Sequence, residues 1–281
     1  MLKKINYFLL TKSLGLYLNC LVYLFPKKAQ KKAYDLFSTP RKGKINQLKV
    51  PKFLQAHRSE QLNYQNHTFQ TYTWSGNSEI ILLLHGWESN SSRWKKTLPH
   101  LLQLGKTIIA IDAPAHGLSS GKEFNVPLYV EFVHVLVQKY QPKTIIGHSV
   151  GGMAAMYYQY KYPNSNLQKM ILLGAPSDLK VILNNYCLLL SLNPLNKKLF
   201  FDCFKIKFNI DVNNFSSAIF AKNTTLKTFV AHDTSDLVVA FEESKKIHAS
   251  FEKSVYVVTK NLGHSLHDKV LYTQIIDFIE N

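Results

Sequence analysis

Cysteine is scarce in this sequence, which has three among 281 residues. They are Cys20, Cys187 and Cys203, and none of them has the C-x-x-C spacing of a zinc site. Cys187 and Cys203 could pair, but an odd and sparse set favours a reducing cytoplasm instead. The cysteines therefore predict neither a disulfide framework nor a metal site.

Acidic residues are also few: 18 Asp or Glu stand against 34 Lys or Arg, which gives a formal net charge of +16. Residues 1–60 hold 13 of the basic residues against only Asp35 and Glu60, a charge of +11, and the other 221 residues hold the remaining +5. A nucleic-acid site would spread basic residues along the functional face. The concentration of charge at one end therefore argues against nucleic acid as the substrate of the main domain.

Repeats and low-complexity tracts are absent from the sequence as well. The chain is 46% hydrophobic and 19% charged, which is the composition of a folded globular protein. Its length suffices for one large α/β domain or two average domains with a deep core.

The first 45 residues are predicted to form a basic, apolar helical arm. Ile5 to Phe25 is apolar and aromatic, but Lys12 interrupts it, and a spanning helix needs about 20 mostly apolar residues. Pro26 and four lysines follow where a signal peptide would have a small-residue cleavage site. The arm is expected either to pack on the rest of the protein or to lie, through residues 1–38, on an anionic membrane surface at the inner face of the membrane.

Short apolar runs alternate with helical patterns from residue 69 onward. Phe69 to Trp74 alternates in polarity and is predicted as a half-exposed strand near a sheet edge. Helices are predicted at 99–104 and 128–140. Buried parallel strands are predicted at 80–84, 107–112, 144–147, 170–173, 228–231 and 254–259. Alternating strands and helices indicate βαβ units in a mostly parallel sheet, whose functional residues gather at the carboxyl ends of its strands.

The stretch T-I-I-G-H-S-V-G-G, residues 144–152, contains a G-x-S-x-G pentapeptide between a strand and a helix start. In such a strand-to-helix turn Ser149 takes a positive φ, and side chains on Gly147 or Gly151 would collide. The helix N-terminus behind the serine favours developing negative charge. Alone the pentapeptide is only moderately specific, because a loop with a capping serine has the same letters.

Four other strand ends carry motifs that strengthen this interpretation. H-G-W follows one strand at 85–87, and D-A-P-A-H-G-L-S follows the next at 112–119. The second motif is predicted to be mainly a turn, with His116 and Ser119 in structural roles. H-D-T-S-D-L-V-V occupies 232–239, and L-G-H occupies 262–264. The five motifs together resemble the α/β-hydrolase superfamily, in its serine-hydrolase branch with a helical cap.

The resemblance implies a role for each of five residues. Ser149 would be the nucleophile, His264 the general base and Asp236 the orienting acid, while the backbone N–H groups of Trp87 and Val150 would form the oxyanion hole. Asp233 competes for the role of the acid. Asp236 is favoured because it precedes an apolar segment that returns into the fold, which suits an inward-pointing loop residue, whereas Asp233 is better placed to brace the turn. His148, His232 and His267 are expected at the surface or bracing loops.

The resemblance also implies an α/β fold with about eight strands in residues 46–281, and a helical cap inserted at about 175–225. The implied reaction is acyl transfer through an acyl-enzyme on Ser149, cleaving a carboxylic ester or thioester of a small, mostly apolar substrate without metal or organic cofactor. An acyltransferase, a perhydrolase or a carbon–carbon hydrolase would use the same triad. A non-catalytic, membrane-associated binding module is the alternative outside enzymes, supported mainly by the basic arm.

Overall fold

The computed structural model describes residues 2–55, 58–222 and 224–281. They divide into two units. The sheet unit comprises Pro40–Ser177 and Ser217–Asn281, and the helical unit comprises Met1–Thr39 and Asp178–Ser216.

The described part of the chain forms one sheet of eight strands. The strands are β1 Arg58–Tyr64, β2 His67–Trp74, β3 Asn77–Leu84, β4 Lys106–Ile111, β5 Thr144–His148, β6 Lys169–Leu173, β7 Lys227–Asp233 and β8 Ser254–Thr259. Their order across the sheet is β1-β2-β4-β3-β5-β6-β7-β8. β2 is antiparallel to both its neighbours, and all other pairs are parallel. The predicted α/β architecture with a mostly parallel sheet is therefore confirmed.

Helices connect most of the strands. They are α1 Leu2–Leu24, α2 Pro26–Ser38, α3 Lys52–Gln55, α4 Leu98–Leu101, α5 Val126–Tyr140, α6 Val150–Lys161, α7 Leu179–Leu190, α8 Pro194–Phe208, α9 Ser217–Phe220, α10 Phe241–Ser250 and α11 Lys269–Glu280. Short 3-10 helices lie at Gln47–Lys49, Ser91–Lys95, Leu102–Leu104 and Gly263–Ser265. The helix predicted at 99–104 is thus an α-turn followed by a 3-10 turn, which ends at Gly105 in the left-handed region (φ 63°).

The strand predicted near the sheet edge at 69–74 is second from the edge, as expected, but the prediction that it is half-exposed is wrong. β2 is paired on both sides, and Phe69 to Tyr72 are all buried. Phe69 stacks on Phe132 of α5 with ring centroids 4.4 Å apart, while Tyr72 belongs to the core on the other face of the sheet. The edge is β1, whose R-S-E-Q-L-N-Y sequence has too few apolar residues to predict a strand.

Two apolar layers hold the sheet in place. On one face β3, β4 and β5 bury Ile81, Ile108 and Ile146 in a cluster with Trp74 and Trp94. The central strands β5 and β6 are buried along almost their whole length, as parallel strands covered on both faces should be. The loops after β3, β5 and β7 therefore begin at buried strand ends. β8 is an edge strand whose residues are exposed or half-buried, so the prediction of a buried strand at 254–259 is wrong.

The helical unit consists of the N-terminal arm and the insertion after β6. A stripe of α1 formed by Thr11, Gly15, Leu18 and Val22 is buried, at the spacing of one helix face. A Cβ on Gly15 would lie 1.6 Å from the Leu190 carbonyl oxygen, so only glycine allows α1 to approach α7 this closely. Rings of α2 and α8 pack nearby, with Tyr34 and Phe204 at a centroid separation of 5.8 Å.

We expect Gly15→Ala to lower the free energy of unfolding, although alanine normally stabilises a helix interior by about 1 kcal/mol relative to glycine. The added methyl would push α1 away from the α7 backbone, and overpacking of this kind costs about 1–3 kcal/mol. Urea or thermal unfolding would measure the change. Ser13→Ala, at an exposed position of the same helix, is the matched control and should change stability by no more than about 0.5 kcal/mol. A Gly15→Ala protein more stable than wild type would contradict the close approach.

Candidate active site

Ser149 lies at the junction of β5 and α6 with φ 55° and ψ −127°. This is a left-handed conformation that a residue with a side chain adopts only at a cost. A Cβ on Gly147 would lie 2.5 Å from the Gly151 carbonyl oxygen, and one on Gly151 would lie 2.2 Å from the Leu84 carbonyl oxygen. The positive φ and the two glycines match what the pentapeptide predicts.

The H-G-W loop after β3 runs directly against this serine. A Cβ on Gly86 would be 2.8 Å from the Cβ of Ser149 and 3.3 Å from its Oγ, so the main chain reaches the serine only because residue 86 is glycine. Trp87 follows Gly86, and Val150 is the first residue of α6, whose amide has no acceptor within its own helix. Both sequence-predicted oxyanion residues therefore belong to segments that adjoin Ser149.

Three buried side chains hold the loop after β3 through its backbone. His85 Nε2 accepts a hydrogen bond from the Ala113 amide, and His116 Nε2 accepts one from the Glu88 amide, each at 2.9 Å. Burial lowers the pKa of His85 and of His116 to about 4, so both are neutral at pH 7. Asp112 Oδ1 accepts from the amide and the hydroxyl of Ser91, and burial raises the pKa of Asp112. The motif at 112–119 is built into the loop support, and His116 is fully buried.

Asp236 and His264 are joined by a hydrogen bond of 2.7 Å between Oδ2 and Nδ1. The Asp236 side chain is fully buried, whereas 19% of the His264 side chain is exposed. Asp236 Oδ1 accepts from the amides of Val238 and Val239 at 2.7 and 3.0 Å. Burial alone would raise the pKa of Asp236, but its hydrogen bonds from His232, His264 and these amides outweigh burial and hold it far below its usual range. The carboxylate is therefore ionised and fixed in orientation.

Asp233 makes a different set of contacts. Its Oδ1 accepts from the Ser235 amide at 2.9 Å, and its Oδ2 accepts from the Thr259 hydroxyl at 2.7 Å and the Leu262 amide at 2.9 Å. It thus ties the end of β7 to the end of β8 and does not bond to His264. Of the two competing aspartates, Asp236 is the one in contact with the histidine.

Two further histidines, His148 and His232, belong to the same cluster. His148 Nε2 donates to the His264 carbonyl at 2.8 Å, and the two rings lie 4.7 Å apart. His232 Nε2 donates to the Val239 carbonyl at 3.0 Å and lies 3.3 Å from Asp236 Oδ2. Both are buried. They therefore do not lie at the surface, and they brace loops, which was the other predicted role. In the sequence, these bracing roles were indicated only by position: His148 directly precedes Ser149, and His232 lies four residues before Asp236.

Arg93 supports the loop that carries His264 and was not singled out by the sequence. Its guanidinium donates to the Ser265 carbonyl at 2.6 Å and to His267 Nε2 at 3.1 Å, and His267 Nδ1 in turn donates to the Tyr272 hydroxyl at 2.7 Å. Burial lowers the pKa of Arg93 to about 10, which leaves it charged at neutral pH. A lone arginine in a 3-10 turn carries no motif, so only the structure reveals this contact.

Among residues 2–55, 58–222 and 224–281, no group of three or more His, Cys, Asp or Glu side chains is arranged to hold a metal ion. Cys20, Cys187 and Cys203 are all free thiols.

A serine on a strained strand-to-helix turn, followed along the chain by a buried aspartate and a histidine bonded to it, defines the class of α/β serine hydrolases. The family model for the alpha/beta hydrolase fold matches residues 79–223, about half of the chain. The protein belongs to the alpha/beta hydrolase family.

Individual relatives agree with this assignment. A serine hydrolase-like protein of Danio rerio is 42% identical over 89 residues, which are 30% of this chain and 27% of that protein. A bifunctional esterase/perhydrolase of Acinetobacter calcoaceticus is 31% identical over 111 residues, covering 36% of this chain and 38% of that protein. Each match therefore spans well under half of the relative. The solved structure of mouse alpha/beta hydrolase domain-containing protein 10 shares the fold with a TM-score of 0.65 at 15% identity, over 79% of this chain and 98% of that one.

The lowered pKa values of His85 and His116 predict that the protein loses stability on mild acidification. Their pKa rises from about 4 in the folded protein to about 6.5 on unfolding, so between these pH values the unfolded chain binds more protons. The free energy of unfolding should therefore fall by about 2 kcal/mol per histidine between pH 7.5 and pH 5. Urea titrations at these two pH values would measure it.

The variant His116→Gln is the control for this pH effect. It removes one of the histidines with a lowered pKa, so its stability should depend less steeply on pH than that of wild type. Staying above pH 5 avoids the titration of Asp236, whose pKa lies far below its usual range. Equal wild-type stability at pH 7.5 and pH 5 would contradict the assignment of neutral, buried histidines.

Proposed function

We propose that this protein is a hydrolase that cleaves a carboxylic ester or thioester of a small, mostly apolar substrate through an acyl-enzyme on Ser149. The observation that carries the proposal is the hydrogen bond between His264 Nδ1 and the buried Asp236 carboxylate. That bond fixes the tautomer in which Nε2 carries a lone pair that can accept a proton. The His264 carbonyl is bonded to His148, the residue before Ser149, so the base loop is attached to the nucleophile's turn.

In the proposed reaction Ser149 Oγ attacks the substrate carbonyl carbon while His264 Nε2 takes the hydroxyl proton. The carbonyl oxygen becomes an oxyanion, which the amides of Trp87 and Val150 would stabilise by hydrogen bonding. Collapse of this intermediate breaks the bond to the alcohol or thiol, which leaves with the proton from His264. Water activated by His264 then hydrolyses the acyl-enzyme and restores Ser149.

The preference for an apolar substrate is supported by aromatic side chains beside the H-G-W loop. The indole of Trp87 is half-buried and packs edge-on against Phe124 and His116, with centroid separations of 5.4 and 5.6 Å. Neutral His116 adds no charge there. An acyl group next to this cluster would meet apolar surface rather than charge.

A perhydrolase is the second candidate, because the Acinetobacter calcoaceticus relative is named as a bifunctional esterase/perhydrolase. In that reaction hydrogen peroxide replaces water as the acceptor of the acyl group and yields a peracid. Supplying hydrogen peroxide with an ester substrate and measuring peracid would distinguish the two acceptors. We also propose a cytoplasmic location, which the free thiols support.

A fluorophosphonate probe should label the wild-type protein and should not label Ser149→Ala. The probe reacts with serines that have an activated hydroxyl, so gel fluorescence or intact mass reports the nucleophile directly. Ser265→Ala is the matched control, since it removes a hydroxyl adjacent to His264 and should be labelled like wild type. Failure of the correctly folded wild type to react would contradict the enzymatic proposal.

Asp236→Asn should reduce kcat on p-nitrophenyl esters by about 10⁴-fold, as loss of the acid does in a serine-protease triad. Asp233→Asn removes a loop brace and should cost at most about tenfold, since one hydrogen bond contributes about 1 kcal/mol. Circular dichroism of both variants checks that the fold is kept. The assignment of the acid is wrong if Asp233→Asn is the damaging change and Asp236→Asn is not.

A further inference from the structure

The helical unit carries a large share of the protein's charge. Its 78 residues hold twelve lysines and four aspartates, a formal charge of +8, which is half of the total of +16. Four of these lysines, Lys27, Lys28, Lys31 and Lys32, lie exposed on the first turns of α2. They follow directly on the apolar end of α1, so charge and apolar surface adjoin.

The exposed face of α1 is strongly apolar. Its most exposed large side chains include Leu16 at 66%, Tyr23 at 72% and Leu24 at 74% relative accessibility. The α1 face also includes Ile5, Tyr7, Phe8, Leu9, Leu10 and Tyr17, together with Phe25 directly after the helix. A contiguous apolar surface of this kind marks an interaction site. Tyrosines among its members are typical of membrane interfaces, where one end of the ring is apolar and the other is hydrated.

The opposite side of α1 uses its polar residues to bind α7 and α8. Lys12 Nζ donates to the Leu189 carbonyl at 3.1 Å and to the Ser191 hydroxyl at 2.7 Å, at the C-terminal end of α7. Asn19 donates to the Ser191 carbonyl at 2.9 Å and accepts from the Asn193 amide at 2.8 Å. Lys12 and Asn19, two of the polar residues that interrupt the apolar run of α1, are therefore internal contacts of the helical unit. Asn6 and Ser13 are exposed among the apolar side chains.

We propose that the α1 face and the lysines of α2 bind the surface of an anionic lipid bilayer, peripherally and without spanning it. The proposal does not depend on the reaction at Ser149. Apolar side chains would enter the boundary between headgroups and acyl chains, while the lysines would pair with anionic headgroups.

Two other roles of α1, spanning a membrane and pairing with a second copy of this chain, are disfavoured by the same contacts and charges. α1 is long and apolar enough to cross a membrane, a property that soluble core helices and signal sequences share. Spanning would remove Lys12 and Asn19 from their partners on α7 and α8 and place a lysine in hydrocarbon, which is costly. A second copy of this chain would bring together two units of charge +8, which repel each other. An anionic surface complements that charge.

Co-sedimentation of the full chain with vesicles tests the proposal. We expect binding to phosphatidylcholine vesicles that contain about one third phosphatidylglycerol, and at least tenfold weaker binding to pure phosphatidylcholine. Raising the salt from 0.05 to 0.5 M should weaken it, because it shortens the screening length to a few ångströms. Replacing Lys27, Lys28 and Lys32 by glutamine should reduce the affinity on the order of tenfold or more. Lys95, Lys122 and Lys260, exposed on the sheet unit, give the matched triple control, which should bind like wild type.

The apolar contribution is tested by Leu9→Glu with Leu16→Glu. Both side chains are exposed, so the fold should persist and vesicle affinity should fall at least tenfold. Leu48→Glu with Val270→Glu makes the same charge change at exposed positions of the sheet unit and should have a much smaller effect. Equal binding to neutral and anionic vesicles, or none to either, would overturn the proposal. Resistance of the bound protein to carbonate extraction would also overturn it, because that result indicates spanning. A third contradicting result would be a dimer that does not bind vesicles and that dissociates when Leu9 and Leu16 are changed.

Discussion

The left-handed backbone of Ser149 is the constraint to which the surrounding structure is fitted. At φ 55° and ψ −127° this residue costs about 1–3 kcal/mol of conformational strain, which the neighbouring elements must offset. They can do so only by coming closer than side chains allow, which is why glycine occupies positions 86, 147 and 151. β3 and β5 pair directly in parallel register, so the loop after β3 has a fixed path past the serine. The strained serine, the three glycines and the strand order therefore depend on one another.

Hydrogen bonds among three histidines and one ionised aspartate fix the groups around Ser149. The hydrogen bonds run from His232 to Asp236, from His264 to Asp236 and from His148 to the His264 carbonyl, which lies beside the serine's turn. Burial lowers the pKa of His148 well below its usual value, so that histidine is a neutral brace. The ionised carboxylate of Asp236 is consequently the negative partner available to an imidazolium at His264.

Much of this arrangement was predictable from the sequence, and the rest was not for identifiable reasons. Buried parallel strands such as β5 and β6 have continuous apolar runs, and G-x-S-x-G marks its own turn geometry. β1 was missed because an exposed edge strand need not be apolar. β2 was predicted to be half-exposed because its alternation of polarity does not reveal that Gln70 and Thr71 are buried and hydrogen-bonded. Arg93 and His232 act through single contacts between distant segments, which no local pattern encodes. The pairing of α1 with α7 and α8 is likewise a long-range contact.

That long-range pairing has a consequence for how the chain is made. Three residues that bond to Asn19 lie 172, 174 and 177 positions further along the chain. During synthesis α1 therefore leaves the ribosome long before Ser191 and Asn193 exist, and its apolar surface then has neither its internal partner nor, on the proposal above, its external one. Contacts of such high sequence separation form late in folding. Nascent chains of this protein should consequently depend on chaperones that shield apolar N-terminal segments, a demand that ends once α8 has been synthesised.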